Sequence, residues 1–183
     1  MTKSIICAGF GGQGIMFMGK LLAYSAMRSG YKVTWISSYG AEARGGAAYC
    51  TVIISDSTIA SPVIENPDIC IVMNNPSFEK FKDRIKKRGI LILNSSLIDN
   101  ELNIRKDIKS IRIPMTDIAV SCGNIRVANM VGLGAFLLAD EIFDLDFLFN
   151  TLEEFIPAHR KNFLDINKNA LRKGYEFGRG NKG

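Results

Sequence analysis

A glycine-rich turn between a short apolar run and a helical pattern constrains the fold of this chain more than any other feature. Residues 5–8 form an apolar run typical of a buried strand, and Gly9-Phe10-Gly11-Gly12-Gln13-Gly14 follows at once. Over residues 15–28 apolar side chains recur at helical spacing, and Gly30 is placed to end that helix. A second strand-like run, residues 33–36, completes a strand–helix–strand unit. This pattern predicts an α/β fold with the turn at the carboxyl end of a strand, where such folds bind ligands or partners.

A second glycine-rich stretch follows the second predicted strand and reads Ser38-Tyr39-Gly40-Ala41-Glu42-Ala43-Arg44-Gly45-Gly46. We call residues 9–14 the first glycine loop and residues 38–46 the second. A guanidinium between glycines can reach out and grip a phosphate or carboxylate in a fork. The candidate site residues are therefore Gly11, Gly12, Gln13, Gly14, Tyr39, Glu42, Arg44, Gly45 and Gly46.

The remaining patterns predict a doubly wound, mainly parallel, Rossmann-like α/β sheet with an inserted antiparallel hairpin and a helical C-terminal portion, as one domain over residues 1–183. The hairpin is expected from residues 48–54, with residues 58–60 returning as a short partner strand. Further strands are predicted at residues 69–73, 90–93 and 108–113, and helices at residues 76–87, 124–139, 145–155 and 161–177. Asp117 fits the start of a further helix. Glycines within residues 124–139 would let that helix pack closely against a neighbour.

Composition narrows the class of protein. No secretory signal is visible, and no apolar run reaches the ~20 residues needed to cross a bilayer, so we expect a soluble, cytoplasmic protein. The net charge of +5 is concentrated in residues 80–88 and 172–182, without interleaved aromatics, so nucleic acid is not an expected partner. The chain has four cysteines: Cys7, Cys50, Cys70 and Cys122. Because no two of them form a Cys-x-x-Cys pair, no metal site is expected. The first three lie in apolar runs and are expected to be small buried hydrophobic residues.

The first glycine loop also satisfies the G-x-G-x-x-G pattern of dinucleotide sites. A NAD site should add an acidic residue at the end of the second strand, where this chain has Ser37 and Ser38. No P-loop lysine follows Gly14, and His159 is the only histidine, so no catalytic triad is available. No catalytic residue is predicted, which favours a subunit of a larger enzyme. A stand-alone NAD(P)-binding oxidoreductase remains the alternative.

The two loops and the motifs after them resemble the gamma subunit of the 2-oxoacid:ferredoxin (or other acceptor) oxidoreductases. The motifs, in order, are Ala8 to Gly14, Ser38 to Gly46, Val52-Ile53-Ile54-Ser55-Asp56, Ser61-Pro62, Pro67-Asp68, Asn94-Ser95-Ser96 and Ala128-Asn129-Met130. Phe10 and Ala43 differ from the residues that pyruvate-type subunits tend to carry at these motif positions. The resemblance therefore favours the 2-oxoglutarate type over the pyruvate type.

The resemblance implies a reaction in which a 2-oxoacid, coenzyme A and oxidised ferredoxin or flavodoxin give an acyl-CoA, carbon dioxide and reduced acceptor. It implies alpha, beta and delta partner subunits, with thiamine diphosphate, Mg²⁺ and iron–sulfur clusters on those other chains. Arg44, with the amides of residues 11–14, would face coenzyme A phosphates or a carboxylate of the alpha subunit. Glu42 would orient Arg44 or meet a basic residue across the interface; alternatively, Glu42 and Arg44 only pair with each other. Large side chains beside the loops would anchor a partner or pack inside: Phe10, Ile15, Met16, Phe17 and Tyr39.

Overall fold

The computed structural model of this chain describes residues 1–39, 47–99, 103–140 and 142–180. Its strands are β1 (Thr2–Phe10), β2 (Lys32–Tyr39), β3 (Ala47–Ser55), β4 (Ile69–Val72), β5 (Ile90–Asn94) and β6 (Lys109–Ile113). Its helices are α1 (Ile15–Arg28), α2 (Asn75–Phe81), α3 (Met115–Ser121), α4 (Ala128–Ala139), α5 (Leu145–Phe155) and α6 (Leu164–Gly180). Two 3₁₀ segments, Ile125–Val127 and Ala158–Phe163, precede α4 and α6.

The strands form one sheet in the order β2-β3-β1-β4-β5-β6. Strands β1, β4, β5 and β6 pair in parallel, whereas β3 is antiparallel to both of its neighbours, β1 and β2. The predicted α/β class, with a mainly parallel sheet, an antiparallel insertion and a helical C-terminal portion, is confirmed.

The partner predicted for β3 is wrong in detail, because residues 58–60 form no strand. Strand β3 has no free edge: Cys50 lies opposite Cys7 of β1, and Val52 lies opposite Trp35 of β2. The antiparallel hairpin is therefore made by β2 and β3. Its connection contains the second glycine loop.

The sheet is covered on both faces, as the alternation along β1 shows. Ile5 and Cys7 face the larger apolar cluster, which contains buried residues of α1, α4 and α5. Ile6 and Ala8 face the smaller cluster, whose helix is α2 with its buried Phe78 and Phe81. Because both faces of the sheet are buried, its parallel strands are continuous apolar runs in the sequence rather than alternating apolar and polar residues.

Helix α1 has the bounds that its sequence pattern predicts, and Gly30 ends it with φ +85°. The N–H of Gly30 bonds the carbonyl of Met27, and the N–H of Tyr31 bonds that of Ala26, which is a Schellman motif. Gly30 is thus a glycine required by its backbone conformation.

Helix α2 is shorter than predicted. The N–H of Lys86 bonds the carbonyl of Pro67 rather than continuing the helix. Arg88, with φ 63°, takes the left-handed conformation that glycine usually adopts after the end of a helix. Gly89 is needed instead for close approach, since a Cβ there would lie 2.8 Å from the Lys86 oxygen and 2.9 Å from the Asp68 oxygen.

Helices α4 and α6 pack backbone to backbone. A Cβ at Gly134 would lie 2.1 Å from the carbonyl oxygen of Leu171, and one at Gly174 would lie 2.1 Å from that of Val131. The close packing predicted from the glycines of α4 is confirmed, with α6 as its neighbour. In the described ranges, no helix has both the length and the apolar character needed to span a bilayer.

Candidate functional site

The first glycine loop is closed by its own glutamine. Gln13 Oε1 accepts the backbone N–H of Phe10 at 2.7 Å, and Gln13 N donates to the Phe10 carbonyl at 3.2 Å. The side chain can fold back because position 9 is glycine, where a Cβ would lie 2.6 Å from Gln13 Oε1. One of the loop N–H groups is therefore already occupied and is not available to a phosphate.

Gly12 and Gly14 are the two glycines of this loop with positive φ, at 93° and 74°. The carbonyl of Gly14 accepts a hydrogen bond from Asn129 Nδ2 at 3.1 Å, and Asn129 Oδ1 accepts the Met130 N–H at 2.9 Å. A Cβ at Gly14 would lie 2.4 Å from Asn129 Nδ2. The loop and the start of α4 are thus fitted to each other.

Two buried asparagines extend this arrangement along the carboxyl edge of the sheet. Asn74 follows β4; its Nδ2 donates to Gln13 Oε1 at 3.3 Å, and its Oδ1 caps α2 by accepting the Ser77 N–H at 2.9 Å. Asn94 ends β5, and its Nδ2 donates to the Met73 carbonyl at 3.2 Å and to Thr116 Oγ1 at 2.9 Å. Amide side chains therefore tie successive strand ends together and hold the loop in position.

An open cleft of about 430 Å³ lies beside the first glycine loop, and we call it the loop cleft. It is lined by Gly12, Gly14, Phe17, Asn124, Arg126, Val127, Asn129, Ile156, Pro157, Arg160, Phe163 and Asn167. Within the described ranges, neither Arg126 nor Arg160 has a hydrogen-bond or ion-pair partner for its guanidinium. The cleft therefore presents two free cations to an anionic group, beside an apolar floor.

The predicted site residues fall into two sets. Gly11, Gly12, Gln13 and Gly14 form one loop at the carboxyl edge, with Gly11 and Gly12 exposed. Glu42, Arg44, Gly45 and Gly46 lie outside the described residues, and the side chain of Tyr39 is likewise not described. The register places Ala47 opposite Phe10 and Ala48 opposite Tyr39, so the ends of β2 and β3 lie at the same edge as the first loop.

Of the side chains expected to anchor a partner or pack inside, Ile15 packs in the core and is 2% exposed. Phe10, Met16 and Phe17 are partly buried, and the ring of Phe17 meets that of Phe155 at 5.4 Å between centroids. Sequence reasoning quoted Asn94 and Asn129 only as parts of motifs, and it passed over Asn74, Arg126 and Arg160. An asparagine directly after each of two strands predicted from the sequence, residues 69–73 and 90–93, was the available signal for Asn74 and Asn94.

The sheet order also bears on the dinucleotide alternative. A dinucleotide fold holds the ribose with an acidic residue on the strand adjacent to β1. Here β3 separates β1 from β2, so Ser38 is two strand spacings, or roughly 10 Å, from β1. With the Phe10 N–H also occupied, the geometry gives this alternative no support. No group of three potential metal ligands occurs among the residues that the structure describes.

Comparison with known proteins decides between these interpretations. The sequence profile of pyruvate ferredoxin/flavodoxin oxidoreductase matches residues 4–177. The chain belongs to this family. It is 34% identical over 180 residues to the 2-oxoglutarate synthase subunit KorC of Methanocaldococcus jannaschii, with 96% of this chain and 94% of that protein covered.

Two further relatives show how the family varies in length. The ketoisovalerate oxidoreductase subunit VorA of Methanothermobacter marburgensis is 33% identical over 175 residues, which is 95% of this chain but 36% of that protein. The chain thus spans about a third of that relative. The solved gamma subunit of a keto/oxoacid ferredoxin oxidoreductase from Geobacter sulfurreducens has a TM-score of 0.83 and 26% identity, with 97% of this chain and 99% of that one covered.

Proposed function

We propose that this chain is the gamma subunit of a 2-oxoacid:acceptor oxidoreductase, with 2-oxoglutarate as the favoured substrate. The reaction is the oxidative decarboxylation of the 2-oxoacid with coenzyme A, which gives an acyl-CoA and carbon dioxide and passes two electrons to ferredoxin or flavodoxin. Support for 2-oxoglutarate comes from the amino-acid sequences of the two glycine loops. It comes also from the 2-oxoglutarate synthase subunit KorC, which this chain matches along nearly the whole length of that protein.

The observation that carries the proposal is the carboxyl edge of the sheet. Its loop is braced by buried amides and adjoins an open cleft that contains the guanidiniums of Arg126 and Arg160, and the described residues lining that cleft include no histidine, carboxylate, cysteine or serine. Such a cleft can bind and orient a molecule, but its lining has no group suited to proton transfer or nucleophilic attack. This is the property expected of a supporting subunit.

The described residues of this chain do not fit an iron–sulfur cluster. Cys7, Cys50 and Cys70 are buried in strands, and no cluster of three metal-ligating groups exists in the described ranges. An iron–sulfur cluster needs several cysteine thiolates together. We therefore assign the clusters to the alpha, beta and delta partners, and the family resemblance implies that thiamine diphosphate and Mg²⁺ are bound there as well.

The first loop, together with Arg44 and Glu42 of the second, is proposed to contact either coenzyme A or a partner subunit. The free guanidiniums of Arg126 and Arg160 in the adjoining loop cleft support an anionic occupant, because guanidinium binds phosphate and carboxylate bidentately. The two occupants differ in what they would change: a coenzyme A contact acts on the Michaelis constant, and a subunit contact acts on assembly.

The proposal is tested by purifying the tagged chain from its native cell. We expect it to elute with larger thiamine-binding chains and to support acceptor reduction with 2-oxoglutarate and coenzyme A. Activity with pyruvate alone would retain the subunit role and overturn the substrate. A chain that elutes by itself and binds NADH would overturn the proposal.

The role of the second loop is tested by Arg44→Ala in the same complex. A raised KM for coenzyme A with intact assembly assigns Arg44 to coenzyme A, and loss of partner chains on gel filtration assigns it to an interface. If neither changes, Arg44 serves only within its own loop and the proposed contact is wrong.

A further inference from the structure

Two cysteines of the core lie directly opposite each other on neighbouring strands. In the antiparallel pairing of β1 with β3, Cys7 is the partner of Cys50, and both are 0% exposed. Opposed residues in antiparallel strands have Cα atoms about 4.5–5.5 Å apart. That spacing lies within the range of roughly 4.4–6.8 Å over which a disulfide can join two cysteines.

The surroundings of Cys50 are fitted to its sulfur. Cys50 Sγ lies 3.6 Å from the carbonyl oxygen of Ile15, the first residue of α1. Gly19 provides the space for it, since a Cβ at that position would lie 2.2 Å from the sulfur. The same Cβ would lie 3.1 Å from Trp35 Nε1, so the indole nitrogen and the thiol share this small space.

The indole nitrogen has a specific relation to this thiol. Trp35 Nε1 is buried and has no hydrogen-bond partner among the described residues. It lies beside the Cys50 sulfur, and its N–H lowers the pKa of that cysteine by favouring the thiolate form. A buried N–H without an acceptor is costly, so a thiolate at Cys50 would give this N–H the acceptor that it lacks.

The two thiols differ in acidity. A hydrogen bond from the Cys7 thiol lowers the pKa of Cys50 against the opposing effect of burial, and Trp35 lowers it further. The hydrogen bond to Cys50 and burial raise the pKa of Cys7 well above its ordinary value. A thiolate is the reactive form of cysteine, and Cys50, with the Trp35 N–H beside its sulfur, is the better placed of the two thiols to carry it.

From this pairing we propose that Cys7 and Cys50 form a reversible dithiol–disulfide site that is oxidised by hydrogen peroxide. The Cys50 sulfur attacks one peroxide oxygen, the O–O bond breaks, and the departing hydroxide takes the Cys50 proton as water. The Cys7 sulfur then attacks the resulting sulfenic acid, forming the S–S bond and releasing a second water with the Cys7 proton. The two thiols lose two electrons and two protons, and one peroxide becomes two waters.

The other two cysteines provide an internal contrast. Cys70 lies on β4, faces the opposite side of the sheet in the smaller cluster, and burial raises its pKa to about 12. Cys122 is partly exposed at the end of α3. Neither is placed opposite another cysteine in the strand pairings, so neither should form an intramolecular disulfide.

The location gives the disulfide a consequence for the site. Forming the bond pulls the Cys50 sulfur toward β1 and away from Ile15, the residue that follows the first glycine loop. On the proposed function of that loop, oxidation of the complex should lower its coenzyme A-dependent activity. This consequence rests on the proposed function, whereas the chemical step does not.

The chemical step is tested on the reduced full chain. After graded hydrogen peroxide, remaining thiols are alkylated under denaturing conditions and the digest is analysed by mass spectrometry without reductant. We expect a linked pair of peptides containing Cys7 and Cys50 that dithiothreitol separates. Because Trp35 is the only tryptophan, its fluorescence should fall with the same time course and recover on reduction.

Variants decide the assignment. Cys70→Ser should still form the link, whereas Cys50→Ser and Cys7→Ser should not, and circular dichroism shows which variants are folded. If either of the last two is unfolded, the wild-type peptide map alone decides. Oxidation confined to Cys122, or full alkylation of Cys7 and Cys50 after peroxide, would overturn the proposal. Disulfide formation without any change in activity of the assembled complex would retain the site and remove only its link to the loop.

Discussion

Gly14 is the residue at which the first glycine loop and the start of α4 meet. It has φ +74°, and an added Cβ would lie 2.4 Å from Asn129 Nδ2. We predict that Gly14→Ala lowers the free energy of unfolding by about 2–3 kcal/mol. Roughly 1–2 kcal/mol of this comes from the left-handed backbone, and the rest comes from displacing the Asn129 amide. Urea denaturation measures the change.

Gly30→Ala is the matched control for this prediction. Gly30 has φ +85°, but a Cβ there would meet nothing within 4 Å, so only the backbone part of the cost should appear. In a background of Asn129→Ala the extra cost of Gly14→Ala should disappear. Equal losses for the two glycine variants would show that Asn129 does not constrain the loop.

Asp68 predicts how stability depends on pH. Burial raises the pKa of Asp68, but hydrogen bonds from Lys86 and Ser4 outweigh it, and the pKa is lowered below its ordinary value. A lowered pKa in the folded state means that the ionised carboxylate stabilises the fold above the unfolded value of about 3.9 and that this contribution is lost as pH falls below it. Asp68→Asn should therefore be less stable than wild type at neutral pH, and the difference should shrink toward pH 2.

The same measurement on Thr58→Ala, an exposed substitution that changes no titratable group, serves as the comparison, since that difference should stay nearly constant with pH. Denaturant midpoints at several pH values give both curves. If the Asp68→Asn difference were unchanged from neutral to acid pH, the carboxylate would not be the source of the stability.

The structural role of a residue can be predicted from the sequence only when that role depends on residues near it in the chain. Gly30 could be placed at a helix end because the Schellman motif needs only neighbouring residues. Asn74 and Arg126 could not be placed, because their roles depend on which loops the fold brings together. Gln13 is intermediate: the sequence marks it as a candidate site residue of the first glycine loop, but its acceptor role toward Phe10 appears only in three dimensions.

At the scale of elements, the contact between α4 and α6 makes the sharpest prediction. Gly134→Ala or Gly174→Ala would place a methyl group 2.1 Å from a carbonyl oxygen of the other helix, which neither backbone can avoid without moving. We expect each substitution to lower the free energy of unfolding by about 3 kcal/mol, at the upper end of overpacking costs. Thermal or urea unfolding tests this.

Gly180→Ala is the control on the same helix. A Cβ at Gly180 would meet nothing within 4 Å, and alanine is a better helix former than glycine, so stability should be unchanged or slightly higher. A loss at Gly134 or Gly174 no larger than at Gly180 would mean that the two helices have room to separate.

Elements with strong local periodicity, such as α1 and α5, could be predicted to the residue. Strand partners could not, because the same apolar run fits any neighbour in a sheet. In the sheet β3 lies between β1 and β2, so both of its edges are paired and residues 58–60 have no free edge of β3 to join. Helix α2 was predicted too long because the Lys86 contact with Pro67 is a tertiary one.

At the scale of the whole molecule, we expect the loop cleft to bind an anionic group of coenzyme A or of a partner subunit. The double variant Arg126→Ala/Arg160→Ala should raise the KM for coenzyme A or weaken retention of partner chains by about tenfold, the effect of losing roughly 1.4 kcal/mol. Kinetics and gel filtration of the purified complex distinguish the two results.

The double variant Lys87→Ala/Lys106→Ala is the control. It also removes two positive charges, but near the amino ends of β5 and β6, and it should change neither the KM for coenzyme A nor the retention of partner chains. A complex with normal assembly and normal kinetics after the loss of both arginines would show that the cleft is not used.

The insertion of β3 has a consequence for the order in which the molecule can be made. Strand β1 is synthesised before both of its partner strands, which are residues 47–55 and 69–72. Both its edges therefore stay open through the synthesis of α1, β2 and β3, and an apolar strand with open edges is prone to pair with other chains. Ribosome-bound chains of increasing length should become protease-resistant only after residue 72 has emerged. The nascent chain would thus depend on chaperones, or on early contact with partner subunits, for longer than its size suggests.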